Sequence, residues 1–214
     1  MPRPRYERAA PELKTAILKA ARKEFGRAGY EAASLNRILE EAGLSKGAFY
    51  YYFDDKADLA ATVLEREMQQ FDLSGLRTPS SADDFWREVS RFTREQMQQL
   101  RESPQRTSVI TRLGVAVGRH PEIMERCGEF MAKVQGVMTA FWAGGQALGA
   151  VRVDLPVAAL VAVAQAGKTA LATALLPTDR AATPEELDAF AVLHLDLIRR
   201  IAEPRASAPT EEPR

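Results

Sequence analysis

Residues 34–53, SLNRILEEAGLSKGAFYYYF, decide how the chain is read. Ser34 stands where an N-cap is needed, and Leu35, Ile38, Leu39 and Ala42 recur behind it at helical spacing. Gly43 stops this short helix, since glycine takes the left-handed backbone without steric cost, and Leu44 fits the angle beyond it. Ser45 then caps a second, very short helix that carries Lys46, Gly47, Ala48, Phe49 and Tyr50-Tyr51-Tyr52 before Phe53. Two short helices joined by a glycine turn, the second bearing small, basic and aromatic residues, form the pattern of a helix-turn-helix.

Working outward, Pro11 opens a preceding helix whose apolar stripe, Leu13, Ile17, Ala21 and Phe25, must pack on the two short ones; Gly29 closes it. Asp54-Asp55 precede a fourth helix running from Lys56 through Leu59, Val63, Leu64 and Met68. The span from Ile17 to Leu59 resembles the DNA-binding domain of TetR-type transcriptional regulators. The resemblance is carried by Ile17-Leu18, Ala20-Ala21, Phe25, Gly29-Tyr30, Ser34, Ile38, Ala42-Gly43, Leu44-Ser45-Lys46-Gly47, Phe49-Tyr50-Tyr51, Phe53, Lys56 and Leu59. Two positions depart from the family pattern: Ala48 replaces a usual Thr or Ser, and Tyr52 replaces a usual His. The resemblance implies an all-α dimer that places its recognition helix in the major groove of double-stranded operator DNA. Lys46, Gly47 and Tyr51 are then expected nearest the bases, with Ser34, Ser45, Tyr50, Tyr52 and Lys56 on phosphates; Ala48, on the same DNA-binding helix, lacks the phosphate-contacting hydroxyl.

The 214 residues hold 29 basic and 29 acidic side chains, so overall charge announces no nucleic acid. Its distribution is more telling, because residues 1–53 contain ten Lys or Arg against six Glu. Residues 1–10, with Arg3, Arg5 and Arg8, read as a disordered basic tail, the alternative being an arm that contacts the minor groove or phosphates. A lone Cys127 excludes an internal disulfide framework. Without an apolar segment near the N-terminus no signal peptide is expected, and a cytoplasmic location follows.

We expect the helix-turn-helix domain to occupy residues 1–56, a helical ligand-binding and dimerisation domain 57–202, and a disordered tail 203–214. In the second domain, Phe85, Trp86, Val89, Phe92, Met97 and Leu100 repeat at helical spacing behind a Ser81 cap. One long helix is expected from Pro121 through Trp142, then a loop at Gly144-Gly145 and Gly149. The most apolar span, Leu155 to Leu176, is interrupted by Gln165 and Lys168 and reads as a buried helix rather than a membrane crossing. Thr183-Pro184-Glu185-Glu186 launches the last helix with a capping box.

Large soft side chains in the middle helices suit an apolar cavity, for which the candidates are Trp86, Phe92, Phe130, Met138 and Trp142. Arg112, Gln135 and Gln165 are candidates for orienting a small-molecule effector inside it. Small residues let helix axes approach, so Ala162, Ala166 and Ala170, with Phe190, His194, Leu197 and Ile201 of the last helix, are assigned to the dimer interface.

Enzymatic chemistry finds no foothold. Gly167-Lys168-Thr169 lacks the first glycine and the preceding strand of a phosphate-binding loop. His120 and His194 stand apart from any Cys or carboxylate cluster, so neither metal nor other cofactor is expected. The sequence therefore reads as a repressor that binds a palindromic operator as a dimer and is released by a largely apolar effector. The alternatives are a constitutive regulator without effector, or a helical adaptor or enzyme whose N-terminal domain binds protein.

Overall fold

The computed structural model describes residues 4–70, 73–177, 180 and 182–204, and among these every regular element is helical. The helices are α1 (Pro4–Glu7), α2 (Pro11–Ala32), α3 (Leu35–Ala42), α4 (Lys46–Tyr52), α5 (Lys56–Gln69), α6 (Ala82–Glu102), α7 (Pro104–Val117), α8 (Pro121–Arg126), α9 (Gly128–Ala147), α10 (Val157–Leu175) and α11 (Pro184–Ala202); a 3-10 turn covers Leu73–Gly75.

Local chemistry sets most of the boundaries. Ser34, Ser45, Asp55 and Ser81 each accept a hydrogen bond from the backbone N–H three residues on, which satisfies donors that the first turn of a helix leaves free. At α11 the expected capping box is present: Thr183 Oγ1 accepts from the Glu186 N–H, and Glu186 Oε2 accepts from the Thr183 N–H at 2.8 Å. Gly43 takes the left-handed backbone, φ 67°, and the Leu44 N–H closes on the Leu39 carbonyl at 2.9 Å. Gly29, at φ 72° and ψ −178°, kinks α2 rather than ending it, and residues 30–32 add a further turn.

The buried side chains fall into three clusters. The largest joins Ile17, Ala21 and Phe25 of α2, Ile38 and Leu39 of α3, Phe49 of α4, and Leu59, Val63 and Leu64 of α5 to Val109 and Leu113 of α7 and Ile123 of α8. So α5, read from sequence as the start of the second domain, has its buried face in the same core as α2–α4. The α7 helix seals that core from the other side, with Ser108 Oγ donating to the Gly26 carbonyl at 2.7 Å. A second cluster gathers Phe85, Trp86, Trp142, Leu160 and Ile198, and a third Met97, Leu100, Leu187 and Phe190.

Four expectations need correction. Residues 4–7 form α1, with Tyr6 buried against Phe53 at a ring-centroid distance of 4.8 Å, so the arm docks through an aromatic plug; Arg3 lies outside the described residues. The long helix from Pro121 breaks at Cys127, whose buried thiol reaches the Ala61 carbonyl and whose backbone leaves helical geometry before Gly128. Helix α9 then runs through Gly144-Gly145 to Ala147, because the missing side chain of Gly145 makes room for the Phe85 ring. Finally, α10 is long and apolar enough to cross a membrane, yet only Leu160, Val161 and Ala164 of it are buried. Its Ala-rich flank, with Ala162, Ala166 and Ala170, is exposed in the single protomer. The tail expected to be disordered lies, from residue 205, outside the described residues.

Candidate nucleic-acid interface and internal cavity

Helix α4 is held from behind and open in front. Phe49 is fully buried and stacks on Phe53 at 5.4 Å, while Lys46, Gly47, Tyr50 and Tyr51 are exposed and Ala48 and Tyr52 half-buried. A Cβ built on Gly47 would meet only Ser45 Oγ, at 3.9 Å, so the fold itself does not require glycine there. The Arg5 guanidinium lies 4.5 Å over the Tyr51 ring, which brings a basic residue of α1 onto the exposed face of α4. Sequence reasoning missed this contact, since one tyrosine in a short basic arm is a weak signal.

The half-buried Ser34 and exposed Ser45 spend their hydroxyls as acceptors for backbone N–H groups, leaving each O–H free to donate outward. Behind Ser34, Glu24 is buried and accepts from the Ser34 N–H at 3.0 Å, with Arg27 and Arg37 completing its neutralisation. Burial works against the Glu24 carboxylate, but the bonds from Arg27 and Ser34 outweigh it and hold its pKa below the usual range.

Lys56 departs from its expected place on a phosphate. Its ammonium donates to the carbonyls of Glu31 and Ala33, both at 3.2 Å, and sits 4.7 Å over the Tyr30 ring. These bonds tie the end of α2 to the start of α5, so Lys56 acts in this structure as a clasp.

A cavity of about 370 Å³, partly open to solvent, occupies the space between α5, α6, α7, α9, α10 and α11. Of the sequence candidates, Phe92, Phe130, Met138, Trp142 and Gln165 line it. Trp86, Arg112 and Gln135 do not. Trp86 is packed in the second core cluster, with the Arg199 guanidinium over its ring at 5.1 Å. Gln135 is exposed on the outer side of α9, and Arg112 lies on α7 away from the cavity wall.

Phe190 and His194 also move. Both are buried within the protomer, at 2% and 8% exposure, and both line the cavity, so they are not available as interface residues. Helix α11 instead turns Val192 (66%) and Leu193 (44%) outward, and on α10 Ala162, Val163, Ala166 and Ala170 are exposed as well. Leu197 and Ile201 are half-buried; a Cβ on Gly167 would come within 2.6 Å of Leu197 Cδ2, which shows how closely α10 and α11 approach.

Apart from Gln165, the cavity's polar groups were not picked out from the sequence as lining residues. Lys168 of α10 lines it, as do Thr93, Gln96 and Thr107, and burial holds the Lys168 pKa below the ordinary lysine range. His194 is pushed down to about 3, by burial first and then by the charge of Lys168, and is a neutral imidazole at neutral pH. Cys127, pushed up to about 11 by burial, is an inert structural thiol.

Comparison with known proteins places the first part of the chain. Residues 17–63 match the family model described as bacterial regulatory proteins, tetR family. An HTH-type transcriptional regulator of Staphylococcus aureus strain USA300 is 39% identical over 62 residues, covering 29% of this chain and 34% of the relative. The match thus spans about a third of the length of such curated relatives. Solved structures extend the likeness over the whole fold. SmeT, the repressor of the Stenotrophomonas maltophilia multidrug efflux pump SmeDEF, superposes with a TM-score of 0.64 at 18% identity, covering 98% of each chain. FadR from Bacillus subtilis in complex with stearoyl-CoA gives 0.65 at 18% identity, covering 86% of this chain and 97% of its own. A TetR family transcriptional regulator from Pseudomonas syringae gives 0.63 at 22% identity, covering 91% and 99%. At these identities the likeness is one of fold. Residues 17–63 thus match the tetR family of bacterial regulatory proteins, and the chain as a whole shares the fold of the solved regulators.

Proposed function

We propose that the chain is a dimeric repressor that reads a near-palindromic operator with two copies of α4 and lets go when a largely apolar small molecule fills the cavity. One observation carries the reading: α7 borders both sites. Val109 and Leu113 are buried in the core beneath the helix-turn-helix, whereas Thr107, Ile110, Thr111 and Gly114 of the same helix line the cavity. A helix with one face in each place converts a change of cavity occupancy into a change of recognition-helix position.

Dimerisation rests on the flank of α10 and α11. Val163, Val192 and Leu193 are exposed on two helices that pack together, and exposed apolar side chains of this kind suit an interaction site. Two short recognition helices on a two-fold axis would engage half-sites about 34–36 Å apart, one turn of DNA. A cytoplasmic location fits this role.

The proposal is tested by mobility shift on the DNA flanking the chain's own gene, with a screen of hydrophobic compounds added to the complex. A shift that a compound reverses supports it. A protein that binds no DNA there, or whose complex no compound disturbs while the same compounds raise its melting temperature, contradicts the repressor reading.

A further inference from the structure

The cavity is mostly apolar, and among its polar groups Lys168 and His194 stand out. Among the described lining residues Lys168 is the only charged side chain, and it makes no hydrogen bond or ion pair with any described residue. His194 is more than nine-tenths buried, lines the same cavity, and its Nδ1 has no hydrogen-bond partner. The two stand on α10 and α11, Lys168 next to Gly167 and His194 one turn before Leu197, the pair at which the two helices come closest to each other's side chains. Neighbouring hydroxyls do not serve them: Thr169 Oγ1 donates to the Gln165 carbonyl and Thr173 Oγ1 to the Thr169 carbonyl, both within the helix.

A half-buried ammonium facing an apolar wall without a counter-charge is unfavourable, and an unpaired buried ring nitrogen adds to the cost. A neutral hydrophobic ligand would fill the volume and leave both groups unpaired. A cationic one would meet Lys168 with like charge. We infer that the cavity is built for an amphiphilic organic acid, a hydrocarbon body ending in one carboxylate whose two oxygens are taken by Lys168 and His194. One oxygen accepts from the Lys168 ammonium, and the other accepts from Nδ1 in the tautomer that carries its proton there. Phe92, Met97, Phe130, Met138 and Trp142 supply the apolar wall for the body. The volume of about 370 Å³ falls in the range of ordinary small-molecule sites. The inference rests on the proposed reading of the cavity as an effector site and adds the chemical class of the effector.

The experiment titrates the full-length protein with decanoate, decanol and acetate, followed by tryptophan fluorescence and calorimetry. Decanoate is expected to bind at least about tenfold tighter than decanol, the margin of a charge-assisted pair, and acetate, lacking the body, not to saturate. In Lys168→Met the preference for decanoate over decanol should disappear while decanol still binds, which also reports that the variant is folded. Should that variant not fold, the wild-type comparison decides alone. Equal affinity of the wild type for decanoate and decanol overturns the acid assignment and leaves the effector cavity standing. Failure of both to bind overturns the two together.

Discussion

Arg106 of α7 donates from Nη2 to the backbone carbonyl of Glu67 on α5 at 2.8 Å, and its Nε lies 3.8 Å from the Glu67 carboxylate. Arg22 of α2 pairs with the same carboxylate from the other side, and Glu67 is 1% exposed. Burial raises the Glu67 pKa and the two guanidinium groups oppose that rise. Each of the three helices therefore contributes one group to a buried cluster, and the residues next along, Met68 and Thr107, line the cavity. Arg106→Met leaves Glu67 to Arg22 alone and removes a charged donor from the Glu67 carbonyl, which should cost about 1.5–3 kcal/mol, read as a loss of melting temperature. A double-mutant cycle with Glu67→Gln should recover a large share of that loss. Additive effects would show that the cluster does not couple α5 to α7.

Gly47→Val separates reading from folding. A Cβ at Gly47 meets open space, and valine is no worse than glycine in a helix, so thermal stability should be unchanged or slightly raised. Operator affinity should fall below detection, because the backbone of α4 can no longer approach the bases. Ser45→Ala provides the contrast: it removes the cap bond to the Ala48 N–H and should cost about 1 kcal/mol of stability as well as affinity.

Lys56→Ala should behave as a lost clasp. Two backbone carbonyls, of Glu31 and Ala33, lose their donor, so the melting temperature should fall in the absence of any DNA. A variant of native stability whose operator binding merely loses salt dependence would return Lys56 to the phosphates.

Arginine at Ala166 or Ala170 should yield monomers. Both positions are exposed on the alanine flank of α10, where a long charged side chain costs the protomer nothing and blocks close approach of a second copy. Light scattering should show half the mass of the wild type, and operator affinity should collapse with it. Wild-type protein that is already monomeric at micromolar concentration would contradict the proposed assembly.

The pH dependence carries a definite sign. His194 is held at about 3 in the fold, against an ordinary value near 6.5, so between those values the unfolded chain binds the extra proton. Stability must then rise with pH across that window and be lost as pH falls through it. His194→Phe removes this contribution. Its melting temperature should fall less steeply than the wild type's on acidification from pH 6.5, and parallel curves would show that His194 titrates normally.

Much of the DNA-facing half was legible because its determinants are local. Ser34, Gly43, Ser45 and Asp55 each act within four residues, and the capping box at Thr183 does the same. Cavity residues were half legible. Apolar spacing identified Phe92, Phe130, Met138 and Trp142, but which side of a helix faces inward depends on neighbours far along the chain, and Trp86, Gln135 and Phe190 went to the wrong face for that reason. Lys168 could be seen as an interruption in an alanine-rich helix; its meaning required His194, a residue of another helix. The packing of α7 against α2 had no local signal at all.

Coupling between cavity and operator ties these parts together, and linkage makes it measurable in one titration. Trp142 lines the cavity whereas Trp86 does not, so a Trp86→Phe variant leaves a single reporter at the site. Its fluorescence should be titrated, with and without saturating operator DNA, using the compound that most raises the melting temperature. Operator is expected to weaken binding of the compound by the same factor by which the compound weakens operator binding, about 5- to 150-fold for a coupling of about 1–3 kcal/mol. Identical affinity in the two titrations would contradict the coupling.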